Sequence, residues 1–132
     1  MVAHSTEISV SARYAELPGL MAELARQASL LNMPEDDIRR LQMVLEELFT
    51  NTIRHGLASE GDTPIQVSLD RHGYGVTLRY SDRGSPFDPS RQGAPAAAEN
   101  PLGGLGIPLI CGLSKAIRYQ RCGQFNIVEL DF

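Results

Sequence analysis

The chain has 132 residues, which is the usual length of one domain. Hydrophobic residues make up 42% of it and charged residues 21%, which excludes a disordered, collagen-like or coiled-coil chain. The net charge is −4, from 12 basic and 16 acidic residues. An acidic domain lacks the positive field that drives binding to a phosphate backbone, so nucleic acid is not an expected partner.

The cysteines and the N-terminus predict a cellular setting. Cys111 and Cys122 are too far apart for a C-x-x-C site and are expected to be small buried residues in a reducing compartment. The N-terminal segment Met1–Glu7 lacks the basic and then apolar pattern of a signal peptide, and no apolar run reaches about 18 residues. We therefore expect a cytoplasmic protein without a membrane partner.

The first half of the chain predicts one strand and two helices. Alternating polarity predicts a strand within Thr6–Arg13, and apolar residues at helical spacing from Leu17 to Leu31 predict a helix of about 15 residues. A second helix is expected to have Pro34 in its first turn, acidic residues after it, and Gly56 as its stop. Its apolar stripe consists of Ile38, Leu41, Val44, Leu45, Leu48, Phe49, Thr52 and Ile53.

The second half predicts a sheet interrupted by a long irregular loop. A compact domain rarely keeps about twenty irregular residues without a use for them. The order of elements predicts an α+β fold, a two-layer α/β sandwich with one mixed, mostly antiparallel sheet and helices on one face. The expected elements are the strands Pro64–Asp70 and Gly75–Asp82 around a turn at Arg71–Tyr74, the loop Arg83–Gly103, a helix at Leu105–Leu113, and the strands Lys115–Arg121 and Phe125–Phe132.

Polar side chains at helical spacing mark the second predicted helix as a candidate site. Glu47 and Asn51 are at positions i and i+4, Asn51 at the flank of the apolar stripe, and His55 continues the row. An amide oxygen suits a hard cation such as Mg²⁺, and a carboxylate one turn away can orient or deprotonate a nucleophile. From the helix alone, a solvated face with one hydrogen-bonded asparagine is the simpler interpretation.

Two further segments have the composition of ligand-binding turns. Asp82, at a strand end, can accept a hydrogen bond from an exocyclic amine, and Gly84 would let the backbone approach a flat ligand closely. Both residues are also common in ordinary turns. Backbone amides of Gly103–Gly106 before a helix can hold phosphate oxygens, although a flexible linker has the same composition. Neither a P-loop nor a G-x-G-x-x-G motif is present.

The ordered set of these segments is more specific than any one of them. The chain resembles the GHKL ATPases, which include gyrase, the heat-shock chaperone and the catalytic domains of histidine kinases. Within that group it is similar to the bacterial anti-sigma factor serine-protein kinases. Leu45–Gly56 looks like their N-box, Asp82–Pro89 like their G1 box, and Gly103–Ile110 like their G2 box. The resemblance covers nearly the whole chain.

The resemblance implies one ATP-binding kinase domain over residues 1–132 with the Bergerat fold of histidine-kinase-like ATPases. It implies that ATP with Mg²⁺ phosphorylates a serine on an anti-anti-sigma partner of the STAS-domain type, and that this controls the sequestration or release of a sigma factor. Residues 83–104 would form a lid over the triphosphate. Members of the family are often homodimers.

The resemblance also assigns roles to single residues. Glu47 takes the position of the general base, whereas Glu46 points away from the row that contains Asn51. Asn51 takes the position of the metal ligand, and Asp82 that of the adenine ligand. Further contacts to the nucleotide are expected from His55, Gly84, Phe87, Gly103, Gly104, Leu105 and Gly106.

Three other functions stay open at this point. A nucleotide-binding regulatory module that switches partners without kinase activity needs Asp82 and Gly84 more than Glu47. A detached histidine-kinase catalytic domain would need a phospho-acceptor histidine on a dimerisation helix pair, which the chain lacks. A structural α/β domain with coincidental glycines would bind no nucleotide.

Overall fold

The computed structural model describes residues 7–73, 75–89 and 112–132. Two helices lie on one face of a sheet whose five strands have the order β1-β2-β3-β5-β4. The elements are β1 (Ile8–Ser11), α1 (Leu17–Leu30), α2 (Glu35–Asn51), β2 (Pro64–His72), β3 (Gly75–Asp82), β4 (Ala116–Cys122) and β5 (Phe125–Asp131).

The predicted two-layer α+β fold is confirmed. All four strand pairings within the described ranges are antiparallel, so the parallel pair of a mixed sheet is not found there. Residues 90–111 lie outside the described residues, and they include Cys111, Gly103–Gly106 and most of both the predicted lid 83–104 and the predicted helix Leu105–Leu113. None of the helices that the structure describes is long and apolar enough to cross a membrane.

The inward-facing apolar residues of the strands and the apolar stripe of α2 form one hydrophobic core. Every second residue of the central strands points at the helices, where burial of apolar side chains stabilises the two layers. The largest side chains that are fully buried are Tyr80, Phe49, Leu20, Leu24, Leu41, Leu45, Ile65, Leu69, Leu78, Leu130 and Val44.

The ends of α2 differ from the prediction. Pro34 has ψ 148°, an extended value, so it precedes the helix at the N-cap and does not lie in the first turn. At the other end, α2 passes into a π-helical turn over Thr52–Gly56, closed by the Leu57 N–H bonded to the Thr52 carbonyl at 2.8 Å. Gly56 does end the helical segment, as predicted.

Two other predictions on the sheet are wrong. The turn predicted at Arg71–Tyr74 is shorter, because β2 continues to His72, which pairs with Gly75. Gly73 has φ 58°, the left-handed conformation that a tight hairpin needs. Cys122 was expected to be buried but is exposed, because it ends the edge strand β4.

Candidate functional site

A cavity of about 130 Å³ opens where the end of α2, the π-helical turn and the ends of β3 and β5 meet. The helical side of its wall has Leu48, Asn51, Thr52, His55 and Gly56. The remaining wall residues come from the two strands and from the segment after β3, namely Tyr80, Asp82, Ser85, Pro86, Phe87, Pro89, Asn126 and Val128.

Asp82 is the carboxylate of this cavity and is held by three donors. Its Oδ1 accepts the Gly84 N–H at 2.8 Å and the Asn126 amide at 2.9 Å, and its Oδ2 accepts the Thr52 hydroxyl at 2.7 Å. The residue is only 8% exposed. Because a carboxylate offers about four acceptor positions, one acceptor position of Asp82 remains for a donor within the cavity.

Asn126 anchors the segment that follows β3. Its Nδ2 shares two N–H hydrogens among Asp82 Oδ1, the Gly84 carbonyl at 3.1 Å and the Ser85 carbonyl at 3.0 Å. Its Oδ1 accepts the Tyr119 hydroxyl at 2.6 Å. Both ends of the amide are therefore used, which fixes the position of the cavity wall beside Asp82.

The sequence predicted that the backbone at Gly84 approaches a flat ligand closely. In the structure it closely approaches the backbone of Gly56. A Cβ at Gly84 would lie 2.7 Å from the Cα of Gly56 in the π-helical turn. The Ser85 N–H donates to the Gly56 carbonyl at 3.0 Å in the same contact. The absence of a side chain at Gly84 therefore lets the segment after β3 pack against the end of the π-helical turn. Gly84 itself is not part of the cavity wall.

Glu47 and Asn51 occupy successive turns at the end of α2. The Nδ2 atom of Asn51 is buried and has no hydrogen-bond partner among the described residues. Glu47 is half-buried, and burial raises its pKa, with the charge of Glu46 adding to the rise and that of Arg54 opposing it. Glu47 is not part of the cavity wall.

The structure thus brings together four of the predicted site residues, because Asn51, His55, Asp82 and Phe87 all line the cavity. His55 and Phe87 are exposed at its mouth. Gly84 lies beside the cavity and Glu47 outside its wall, while Gly103, Gly104, Leu105 and Gly106 lie outside the described residues.

Sequence reasoning missed four polar wall residues, Ser85 among them. Asn126 has the same strand parity as the buried Val128 and Leu130, so a polar residue at a core position was the available signal. Tyr80 likewise faces the helices from β3. Thr52 was counted in the apolar stripe, and the stripe gives no sign of the hydroxyl's partner, which is thirty positions away in the chain.

The residues present fit a magnesium ion bound with few protein ligands. No cluster of three or more His, Cys, Asp or Glu that could hold a metal occurs within residues 7–73, 75–89 and 112–132. Asn51 lies in the cavity wall and can supply a single ligand through its amide oxygen, because Mg²⁺ keeps several waters and is completed by phosphate oxygens, and its unpartnered Nδ2 can donate to a phosphate oxygen.

Comparison with known proteins agrees with this architecture. A family model described as histidine kinase-like ATPase domain matches residues 10–132. No match is found among curated proteins. The fold is similar to the RsbU and RsbW domains of Rv1364c from Mycobacterium tuberculosis, with 17% identity and a TM-score of 0.70 over 98% of this chain and 32% of that one. The chain thus spans about a third of the Mycobacterium chain.

Two further solved structures have the same fold. A chain of the SiaB-SiaC complex from Pseudomonas aeruginosa has 11% identity and a TM-score of 0.70, over 96% of this chain and 88% of that one. The histidine kinase AdeS of Acinetobacter baumannii has 15% identity and a TM-score of 0.53, over 98% and 68% of the two chains. ATP is the ligand that an ATPase domain implies. Because the family model covers nearly all of the sequence, the chain belongs to the histidine kinase-like ATPase domain family.

Proposed function

We propose that this protein is an anti-sigma factor and ATP-dependent serine-protein kinase. It uses Mg-ATP to phosphorylate a serine on an anti-anti-sigma partner of the STAS-domain type, and this step determines whether a sigma factor is sequestered or released. The observation that carries the proposal is a single cavity that joins the anchored carboxylate of Asp82 to the side-chain amide of Asn51, whose Nδ2 has no described partner and which lies one helical turn beyond Glu47.

The Asp82 side of the cavity is suited to adenine. Its one remaining acceptor position suits the exocyclic amine, because the three donors that hold the carboxylate also fix its orientation. Leu48 and Val128 supply apolar wall for the faces of a flat base. A keto oxygen at the same position would meet the carboxylate without a hydrogen between the two groups.

The Asn51 side is suited to the phosphates. Asn51 would hold Mg²⁺, which when bound neutralises charge on the phosphate oxygens. Glu47 would then serve as the base that accepts the serine hydroxyl proton, and its raised pKa makes it a stronger base. Residues 83–104 would form the lid, with Gly103, Gly104, Leu105 and Gly106 against the triphosphate.

Two similarly folded proteins support a role in protein complexes. One was solved as the SiaB-SiaC complex, and in the other an RsbW domain is joined to an RsbU domain. The STAS-domain partner, the sigma factor, homodimerisation and a cytoplasmic location are inferred from the sequence resemblance to anti-sigma factor kinases.

Phosphate transfer to a candidate STAS-domain protein tests this function. The wild-type protein with Mg-ATP should place phosphate on a serine of the partner. Glu47→Gln should abolish transfer while ATP affinity stays within about twofold, because the base is needed for chemistry and not for binding. Glu46→Gln, one residue earlier on the exposed side of α2, is the matched control and should keep most of the transfer, because burial and not the Glu46 charge is the main cause of the raised pKa of Glu47.

One observation favours a nucleotide-binding module without kinase activity: Glu47 lies outside the cavity wall, whereas Asp82 and Asn51 lie in it. This alternative predicts nucleotide-dependent partner binding, no phosphoserine, and no effect of Glu47→Gln on partner exchange. Transfer that persists at the wild-type rate in Glu47→Gln, or that is lost equally in Glu46→Gln, would contradict the assigned base.

A further inference from the structure

A short chain of buried oxygens lies behind Asp82. The Tyr80 hydroxyl is 2.6 Å from Thr52 Oγ1, which in turn is 2.7 Å from Asp82 Oδ2. Both Tyr80 and Thr52 are buried, with 1% and 4% exposure. The Leu48 carbonyl is the only other described acceptor near them, 3.0 Å from Thr52 Oγ1 and 3.2 Å from the Tyr80 hydroxyl.

The two hydroxyls have only two hydrogens to distribute among these contacts. The shortest contacts are the two in the line from Tyr80 through Thr52 to Asp82, and each needs a hydrogen to avoid repulsion between lone pairs. With Asp82 ionised, one arrangement meets both needs: Tyr80 donates to Thr52, and Thr52 donates to Asp82. The hydrogen bond to the carboxylate is also the strongest one available.

We propose that Tyr80 is a positioning residue that acts through Thr52 to hold the Asp82 carboxylate in place toward the cavity, and thereby strengthens the preference for a 6-amino over a 6-oxo purine. This inference rests on the proposed nucleotide site. Tyr80 supplies the hydrogen that occupies Thr52 from behind, so the Thr52 hydrogen is directed at Asp82. No bond of the nucleotide is made or broken in this role.

Loss of the Tyr80 hydroxyl releases the constraint. Thr52 Oγ1 then has no donor behind it, so its hydrogen bond to Asp82 Oδ2 weakens and the carboxylate is held less firmly. A carboxylate that can shift binds the exocyclic amine less well and repels a 6-oxo group less strongly, so the site distinguishes the two purines less.

The test compares the affinities of Mg-ATP and Mg-ITP for the full chain by calorimetry. The two nucleotides differ at the purine 6-position and at the N1 hydrogen that accompanies it. Wild type should prefer ATP, and Tyr80→Phe should narrow the ratio of the two dissociation constants about threefold, since the bond that it removes joins two neutral hydroxyls and acts on Asp82 only through Thr52. Tyr14→Phe is the matched control, because the Tyr14 hydroxyl makes no hydrogen bond among the described residues, and it should keep the wild-type ratio.

Thr52→Val separates a specific from a merely structural role, since valine keeps the shape of threonine and removes the hydroxyl. It should narrow the ratio of the two dissociation constants further than Tyr80→Phe does, about tenfold, because it removes the hydrogen bond to the charged carboxylate itself. The double variant should equal Thr52→Val alone, because Tyr80 acts only through Thr52. The valine variant also provides the measurement if Tyr80→Phe fails to fold.

The outcomes are distinct. A wild-type ratio in Tyr80→Phe or in Thr52→Val, a further narrowing in the double variant, or equal binding of the two nucleotides by wild type would each overturn this inference and leave ATP binding standing. Absence of ATP binding by wild type would overturn the proposed function, and this inference with it.

Discussion

The contact between Gly84 and Gly56 gives the sharpest test of how the site is assembled. In Gly84→Ala the new Cβ would lie 2.7 Å from the Gly56 Cα, 3.0 Å from its carbonyl carbon and 3.2 Å from its oxygen. All three are backbone atoms that cannot rotate away. The φ of Gly84 lies outside the left-handed region, so the cost comes from this contact and not from backbone conformation.

The magnitude follows from two effects. Overpacking of a close contact costs about 1–3 kcal/mol. Separation of the two segments also weakens the hydrogen bond from the Ser85 N–H to the Gly56 carbonyl, worth about 1 kcal/mol. Gly84→Ala should therefore lower the free energy of unfolding by roughly 2–4 kcal/mol, which corresponds to a decrease in Tm on the order of 10 °C for a domain of this size.

Thermal unfolding of a glycine series measures this. Gly56→Ala should cost less than Gly84→Ala, because its Cβ would meet the Gly84 Cα at 3.3 Å. Gly61→Ala, where a Cβ has no atom within 4 Å, should stay within about 0.5 kcal/mol of wild type. The reasoning is refuted if Gly84→Ala and Gly61→Ala unfold at the same temperature.

Two further substitutions test charges around the sheet. Asn126→Asp replaces the amide donor 2.9 Å from Asp82 with an acceptor and should destabilise the protein by roughly 3 kcal/mol at pH 8 but less at pH 5, where a proton can bridge the two carboxyls. A loss of Tm that is equal at both pH values would contradict this. The hydrogen bond from Arg118, aided by Thr77, lowers the pKa of Asp131 from 3.8 to about 2. This stabilisation is complete above the unfolded pKa and is lost as the pH falls through the folded one, so the Tm of wild type should fall more steeply between about pH 4 and 2 than that of Asp131→Asn. Parallel Tm curves would contradict the assignment.

Local patterns predicted most of the elements but not their ends. The apolar stripe on α2 and the apolar alternation in β2 and β3 can be read from the sequence alone, since the position of a residue in the repeat determines which face of the element it occupies. Ends depend on contacts that are distant in sequence or on one dihedral angle. His72 belongs to β2 because Gly75 pairs with it, and Pro34 lies outside α2 because of its extended ψ.

In the candidate site too, local patterns predicted some features, and others depend on contacts between residues that are distant in sequence. Asn51 was selected by its helical spacing and Asp82 by its position at a strand end, and the two line one cavity. Gly84 was expected beside a ligand, and its close neighbour is Gly56. The sequence predicts a close backbone approach at Gly84, and only the folded structure shows that the partner in this contact is the Gly56 backbone.

The hydrogen bonds around the cavity determine how its variants can be interpreted. Asp82 accepts three donors, among them the buried Thr52 and Asn126, so its replacement leaves buried donors unpaired and affects the fold as well as binding. Glu47 and Asn51 have no such attachments: among the described residues, Glu47 makes no side-chain hydrogen bond and the Asn51 Nδ2 has no partner. A loss of activity on replacing either residue can therefore be assigned to phosphate chemistry if the Tm is unchanged. When an Asp82 variant loses activity, its Tm must be measured before the loss is assigned to adenine binding.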